Sequence, residues 1–166
     1  MPPARDFPTL EYRSIIIAAT IGAFALDLAL SRLVLLSASR FNGMTLIPGL
    51  LAFNYAWNKG ISFSLFWQSS SFGSWALALF RFVVALLLLS WATRTNRPLF
   101  SAALGSIAAG ALGNVASRVL YGAVFDFLAL HLGPIPLFVS NISDALISVG
   151  VAGLLVEILW PDRRFI

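Results

Sequence analysis

Four long apolar segments are the feature that most constrains how this chain can fold. A helix needs about 20 mostly apolar residues to cross the roughly 30 Å hydrocarbon core of a bilayer. Segments at about residues 14–36, 73–91, 99–114 and 141–160 reach or approach that length. Hydrophobic residues make up 59% of the chain and charged residues only 11%, which is more apolar surface than a soluble domain of this size can bury. The pattern predicts an all-α membrane protein with four spanning helices.

The connections between these segments predict the rest of the architecture. Residues 37–72 contain prolines, glycines and interspersed aromatics, which indicates a small extracytoplasmic lobe, partly β-structure, between the first and second spans. Residues 117–140 mix apolar residues with glycine and proline, and we expect them to lie on the outer membrane surface. Since the spans and connections use nearly the whole chain, residues 1–166 are expected to form one membrane-embedded domain.

The arginines indicate the orientation of the spans. They precede the first span, separate the second from the third and follow the fourth, so they share one side of the membrane: Arg5, Arg13, Arg94, Arg97, Arg163 and Arg164. By the positive-inside rule that side is the cytoplasm, which places both termini inside and both long connections outside. Because the arginines stand at the ends of apolar runs and do not cluster, the net charge of +4 does not indicate nucleic-acid binding.

An alternative for the first segment is a cleaved signal peptide ending at residues 37–39, which read Ser-Ala-Ser. The apolar core of a signal peptide has about 7–15 residues. The run here is longer and contains Asp27. A spanning helix is therefore the favoured interpretation.

The scarcity of reactive side chains narrows the possible chemistry. The chain has no cysteine, one histidine (His131) and one lysine (Lys59). A thiol nucleophile, a thiolate metal site and a multi-histidine metal site are thereby excluded, and we expect no metal and no organic cofactor. A Ser-His-Asp triad would require His131 and a Ser-Lys dyad would require Lys59. The carboxylates remain as the main candidates.

Two charged residues lie deep within the predicted spans, where each charge requires an explanation. Asp27 lies about nine residues below the outer end of the first span, and Arg81 lies about eight residues below that of the second. Equal depth suggests a direct ion pair. The favoured interpretation is instead that Arg81 extends toward the interface while Asp27 accepts hydrogen bonds, so both are structural polar residues.

Asp126 and Asp144 form a second pair of interest, because they flank the second outer connection and could meet at the membrane surface. Apolar neighbours such as Phe125 and Phe127 favour a protonated carboxyl, whereas a helix N-terminus favours an ionised one. Two carboxylates in contact would share one proton, as in aspartic peptidases. The alternative is that Asp126 caps a turn and Asp144 caps the fourth span.

Several motifs resemble those of the lipoprotein signal peptidases (signal peptidase II), bacterial membrane aspartic peptidases. The segment at 58–64 is similar to the family's Asn-x-Gly-Ala-Ala-Phe-Ser sequence. Residues 113–118 and 121–127 resemble its Gly-Asn-x-x-Asp-Arg and Val-Val-Asp-Phe sequences, and residues 141–147 resemble its Asn-x-Ala-Asp-x-x-Ile signature. The order, the spacing and the four-span topology agree with the family over most of the chain.

The resemblance implies a function and a set of site residues. It implies cleavage of signal peptides from prolipoproteins just before a cysteine that bears diacylglycerol, at the outer face of the bacterial inner membrane. The partners would be the lipid-modified substrate and membrane lipids, and a monomer would suffice. Asp126 and Asp144 would be the catalytic dyad. The residues expected to shape the site around the substrate are Asn58, Gly60, Asn114, Arg118 and Asn141.

Four departures from the family motifs mark a divergent member. Ser117 stands where the family has an aspartate before the arginine, and Ser143 replaces an alanine. In the first span, Leu28 replaces a glutamine and Ser31 occupies the position of a lysine. Two alternatives therefore stay open. The chain could be a catalytically inactive relative that binds lipidated peptides, or an unrelated transporter or channel component in which Asp27 and Arg81 line a pathway.

Overall fold

The computed structural model describes residues 9–59 and 71–160, and four long helices dominate this part of the chain. Each is long and apolar enough to cross a membrane, and large apolar side chains on their outer surfaces are exposed, as lipid contact requires. The prediction of four spanning helices is confirmed. The four long helices are α1 at Leu10–Leu36, α3 at Ser71–Ala92, α4 at Pro98–Tyr121 and α5 at Ile142–Leu159. The short helix α2, at Ala38–Phe41, follows α1.

Helix α4 lies at the centre of the bundle. In its most apolar 18-residue stretch 56% of the residues are buried, against 17% in each of the other three spans. Small residues let its neighbours approach closely. A Cβ added at Gly110 would overlap the backbone carbonyl of Ser143 on α5, and one added at Gly150 would lie 2.6 Å from the carbonyl of Ala103. Helix α4 therefore sets the spacing of the whole bundle.

Helix α4 continues well beyond Asn114, where the sequence predicts the third span to end. It ends at Tyr121, because Gly122 adopts the left-handed conformation (φ 75°) that caps many helices. Polar residues such as Asn114 and Arg118 suggest an exit from the apolar layer, but both side chains are buried against neighbouring elements. The helix therefore extends beyond the predicted end of the span, and residues 117–121 belong to it.

The two connections that the sequence predicts to lie outside the membrane together form one antiparallel sheet in the order β1-β2-β3-β4. The partly β lobe predicted between the first two spans is confirmed, since it supplies β1 and β2. The second connection, for which the sequence predicts only a surface segment, supplies β3 and β4 and completes the sheet. The strands are β1 at Thr45–Ile47, β2 at Leu51–Asn58, β3 at Val124–Leu132 and β4 at Ile135–Ser140.

The sheet lies where α4 ends and α5 begins, because β3 follows α4 directly and β4 leads into α5. In the pairing of β2 with β3, Ala56 is opposite Asp126 and Asn58 is opposite Val124. The ends of β2 and β4 and the start of β3 therefore converge on the first turn of α5. This junction between sheet and helices holds most of the polar residues that the sequence analysis identifies.

Candidate active site

Asp126 is held inside the junction by two asparagines. It lies on β3, and its side chain is almost completely buried, with 3% of the residue exposed. Asn141 Nδ2 donates a hydrogen bond to Asp126 Oδ1 over 2.6 Å, and Asn58 Nδ2 donates one to Oδ2 over 3.1 Å. Both carboxyl oxygens therefore have amide donors, and a buried carboxyl requires such partners.

Asp144 lies in the first turn of α5 and is partly exposed. Its backbone N–H donates to Asn141 Oδ1 over 2.9 Å, which makes Asn141 the N-cap of the helix. The Asp144 carboxyl accepts a hydrogen bond from Asn114 Nδ2 over 3.0 Å. Asn114 is in turn linked to Asn141, because Asn141 Nδ2 donates a hydrogen bond to Asn114 Oδ1 over 3.3 Å. A continuous chain of hydrogen bonds therefore joins Asp126 to Asp144.

The electrostatic environment of Asp126 differs from that of an ordinary surface carboxyl. Burial raises the pKa of Asp126 to about 6, and the negative charge of Asp144 acts in the same direction. Hydrogen bonds from Asn58 and Asn141 and the positive charge of Arg118 oppose this increase. Arg118 is itself buried near the end of α4 and interacts electrostatically with both carboxylates. A carboxyl with such a pKa can exchange a proton near neutral pH.

Two cavities meet at this network. The larger, of about 320 Å³, lies between helices and sheet and has Asp144 and Arg81 in its wall. The smaller, of about 260 Å³, opens on the sheet side and has Asp126 and Trp57 in its wall. Asn58 lines both cavities. An extended ligand that passed Asn58 would therefore contact both carboxyl groups.

Among the described residues Asp27 and Arg81 do not form an ion pair, so the less favoured of the two interpretations is wrong. Asp27 is buried, and its carboxyl accepts hydrogen bonds from Ser143 Oγ over 2.6 Å and from Ser31 Oγ over 3.4 Å. Arg81 instead interacts electrostatically with Asp144 and Asp126. The alternative that Asp27 accepts hydrogen bonds is thus the correct one. The two residues serve different polar groups, which disfavours a shared transport pathway.

Three departures from the family motifs, Ser31, Ser117 and Ser143, have hydrogen-bond partners. Ser117 Oγ donates to the Ala123 carbonyl over 3.0 Å and accepts from the Phe125 N–H over 3.1 Å, so it fixes the corner between α4 and β3. Ser143 Oγ reaches Asp27, a contact that the sequence analysis missed. The signal was present, since Ser143 is a polar residue one position before Asp144. Leu28 contributes only apolar surface beside Asp27.

The structure brings together the six predicted catalytic and site-shaping residues that it describes. Asp126, Asp144 and the three asparagines share one hydrogen-bond network, with Arg118 in electrostatic contact. Gly60, predicted to shape the site, lies outside the described residues. Within residues 9–59 and 71–160, no three histidine, cysteine or acidic side chains are grouped so that they could bind a metal ion.

Relatives with known names share the sequence over part of its length. The chain is 45% identical over 108 residues to a lipoprotein signal peptidase of Methylobacterium sp. (strain 4-46), which covers 65% of this chain and 66% of the relative. It is 43% identical over 112 residues to that of Methylorubrum extorquens (strain PA1), covering 68% of this chain and 66% of the relative. The chain thus spans slightly less than two thirds of these relatives.

Solved structures agree over nearly the whole fold. One bacterial membrane enzyme superposes with a TM-score of 0.73 at 18% identity, covering 92% of this chain and 90% of that one. A second superposes with a TM-score of 0.72 at 19% identity, covering 94% and 97%. At such low identity these matches establish the fold alone. The family is established by the sequence, since residues 19–160 match the family model described as Signal peptidase (SPase) II. The chain therefore belongs to the signal peptidase II family.

Proposed function

We propose that this chain is a membrane aspartic endopeptidase that removes signal peptides from diacylglyceryl-modified prolipoproteins. Cleavage would occur immediately before the lipidated cysteine. Membership of the signal peptidase II family, and relatives named lipoprotein signal peptidase, support a protease of this class. The observation that carries the catalytic assignment is the hydrogen-bond chain that links Asp126 to Asp144 through Asn141 and Asn114 at the meeting point of two cavities.

The two carboxyl groups can perform peptide hydrolysis as a pair that holds one proton. The ionised member takes a proton from a water molecule while the water oxygen bonds to the scissile carbonyl carbon. The protonated member transfers its proton to the carbonyl oxygen, which gives a neutral tetrahedral diol. When the C–N bond breaks, the pair gives a proton to the leaving nitrogen and takes one from a diol hydroxyl, so the amine and the new carboxyl group are released and the pair again holds one proton. The raised pKa of Asp126 supports a pair that keeps this proton near neutral pH.

The neighbouring residues would hold the pair and the substrate. Asn141 and Asn114 fix the distance between the two carboxyl groups, and Asn58 stands between the cavities that would receive the two sides of the substrate. Arg118 would offset the negative charge of the pair. Gly60, two residues after Asn58 in the family motif, would be a site-shaping residue by that resemblance.

The orientation of the bundle suits a lipid-anchored substrate. The described arginines Arg94 and Arg97 stand between α3 and α4, at the end away from the sheet. By the positive-inside rule we assign that end, with both chain termini, to the cytoplasm and the sheet to the outer face of the bacterial inner membrane. The acyl chains of the substrate could then remain in the bilayer while the peptide enters the site, and a monomer would suffice.

The decisive experiment is cleavage of a diacylglyceryl-modified prolipoprotein by the purified protein in proteoliposomes. Wild type should release the signal peptide, and mass spectrometry should detect a product that begins at the lipidated cysteine. Asp126→Asn and Asp144→Asn should each lower the rate by at least about 100-fold, because each removes a general acid–base group. The same substrate without its lipid should be a poor one.

The matched control is Glu11→Gln, which also converts a carboxylate to an amide but at an exposed position at the start of α1. It should cleave at the wild-type rate. Cleavage by both aspartate variants at the control rate would refute the dyad. Lipidated peptide that binds to wild type without being cut would instead identify an inactive relative.

A further inference from the structure

Arg81 is a charged residue that the hydrolytic steps above do not use. It lies in the middle of α3, a helix whose other residues in this region are apolar. An arginine at membrane depth is normally found beside an opposite charge or a water-accessible cavity. Arg81 has both, because it lines the larger cavity together with Asp144 and interacts electrostatically with Asp144 and Asp126.

The charged groups around Asp144 come from four other elements. Asp144 on α5 is faced by Asp126 on β3, Arg118 on α4 and Arg81 on α3, and it also interacts with Asp27 on α1. Arg118 approaches from the end of α4 that adjoins the sheet. Arg81 approaches across the cavity that the substrate would enter, so its charge and that of Arg118 act from different elements.

We propose that Arg81 is a positioning residue whose positive charge sets the pH range in which the pair of Asp126 and Asp144 holds a single proton. The inference rests on the proposed function, since only hydrolysis by this pair requires the singly protonated form. When the pair is doubly ionised, the described cations that compensate its charge are Arg81 and Arg118. Without Arg81, Arg118 remains. Both proton-binding steps of the pair then move to higher pH.

The first test is the pH dependence of cleavage by wild type and three variants. Arg81→Met removes the charge and keeps an unbranched side chain, and Arg81→Lys keeps the charge. With Arg81→Met both limbs of the bell-shaped profile should move up by about 1 pH unit, whereas Arg81→Lys should keep the wild-type limbs. Arg94→Met, which removes an exposed arginine between α3 and α4, should also keep them. A loss of rate in Arg81→Met with unmoved limbs would mean a packing role and would overturn the proposal.

The second test does not depend on activity. Infrared difference spectra of the reconstituted protein follow the C=O stretch of protonated carboxyl groups during a pH titration, and Asp126→Asn and Asp144→Asn identify the bands of the pair. In Arg81→Met the midpoint pH at which these bands titrate should rise by the same interval, about 1 pH unit. If wild type cleaves nothing but the bands move, the proposed function fails while the charge effect of Arg81 stands. If the bands titrate identically in wild type and Arg81→Met, the inference fails.

Discussion

Replacement of Ser143 with alanine isolates one hydrogen bond between the first and last helices of the bundle. Ser143 Oγ donates to Asp27 Oδ2 over 2.6 Å, and the two residues are only 3% and 2% exposed. The other described donor to this carboxyl is Ser31 Oγ, at 3.4 Å from Oδ1. The alanine variant therefore leaves one oxygen of a buried carboxyl without its close donor.

The expected cost follows from this burial. A buried acceptor that loses its donor destabilises a protein by about 1–3 kcal/mol, which for a chain of this length corresponds to a fall in Tm of roughly 3–9 °C. Thermal unfolding in detergent, followed by tryptophan fluorescence, measures this directly. Cleavage should persist in Ser143→Ala below its Tm, because the backbone of Asp144 remains capped by Asn141.

Two comparisons make the result interpretable. Ser148→Ala removes an exposed hydroxyl that donates to a carbonyl of its own helix, over 2.8 Å to Asp144, and should change Tm by less than about 1 °C. Asp27→Ala combined with Ser143→Ala should cost less than the sum of the single variants by about 1–2 kcal/mol. A Tm for Ser143→Ala equal to that of Ser148→Ala, or additive single effects, would refute the claim that this contact ties α1 to α5.

Two further predictions concern the site network. Asn141→Ala removes the N-cap of α5 and a hydrogen-bond donor to Asp126. It should lower the free energy of unfolding by about 2–4 kcal/mol, measured by thermal unfolding, and abolish cleavage. Asn54→Ala, at an exposed position, should do neither. Since the pKa of Asp126 is raised from its ordinary 3.8 to about 6, this group contributes stability below pH 4 that is lost as the pH rises through about 6. Asp126→Asn should therefore gain up to about 3 kcal/mol relative to wild type between pH 4 and pH 7, and parallel stability curves would contradict this.

The spans could be predicted from the sequence because the length of an apolar run is a local property. The partners of the strands could not. Strand β2 pairs with β3, yet two spanning helices separate them in the chain, so they meet only after α3 and α4 have packed. No local signal in residues 117–140 states which strand lies beside them. The end of α4 was also hidden, because the buried positions of Asn114 and Arg118 depend on that same sheet.

The site divides along similar lines. The motif resemblance correctly predicted which asparagines and aspartates would cluster, since the positions of these residues relative to one another are part of the motif. The less favoured interpretation, an ion pair of Asp27 with Arg81, is wrong for a geometric reason. Equal depth fixes the height of two residues in the membrane but not the face of the helix on which each lies. Asp27 faces α4 and the start of α5, where Ser143 is, whereas Arg81 faces the cavity beside Asp144.

The arrangement of the two carboxyl groups depends most on a single residue at the corner between β4 and α5. Asn141 follows the last residue of β4 and precedes the first residue of α5. Its Oδ1 caps the helix that carries Asp144, and its Nδ2 holds Asp126 on the neighbouring strand. One planar amide thus connects the helix to the sheet, and any rotation of α5 that moved Asp144 would strain the bond to Asp126. A short local corner thereby fixes a pair of residues that the sequence separates by a complete β-hairpin.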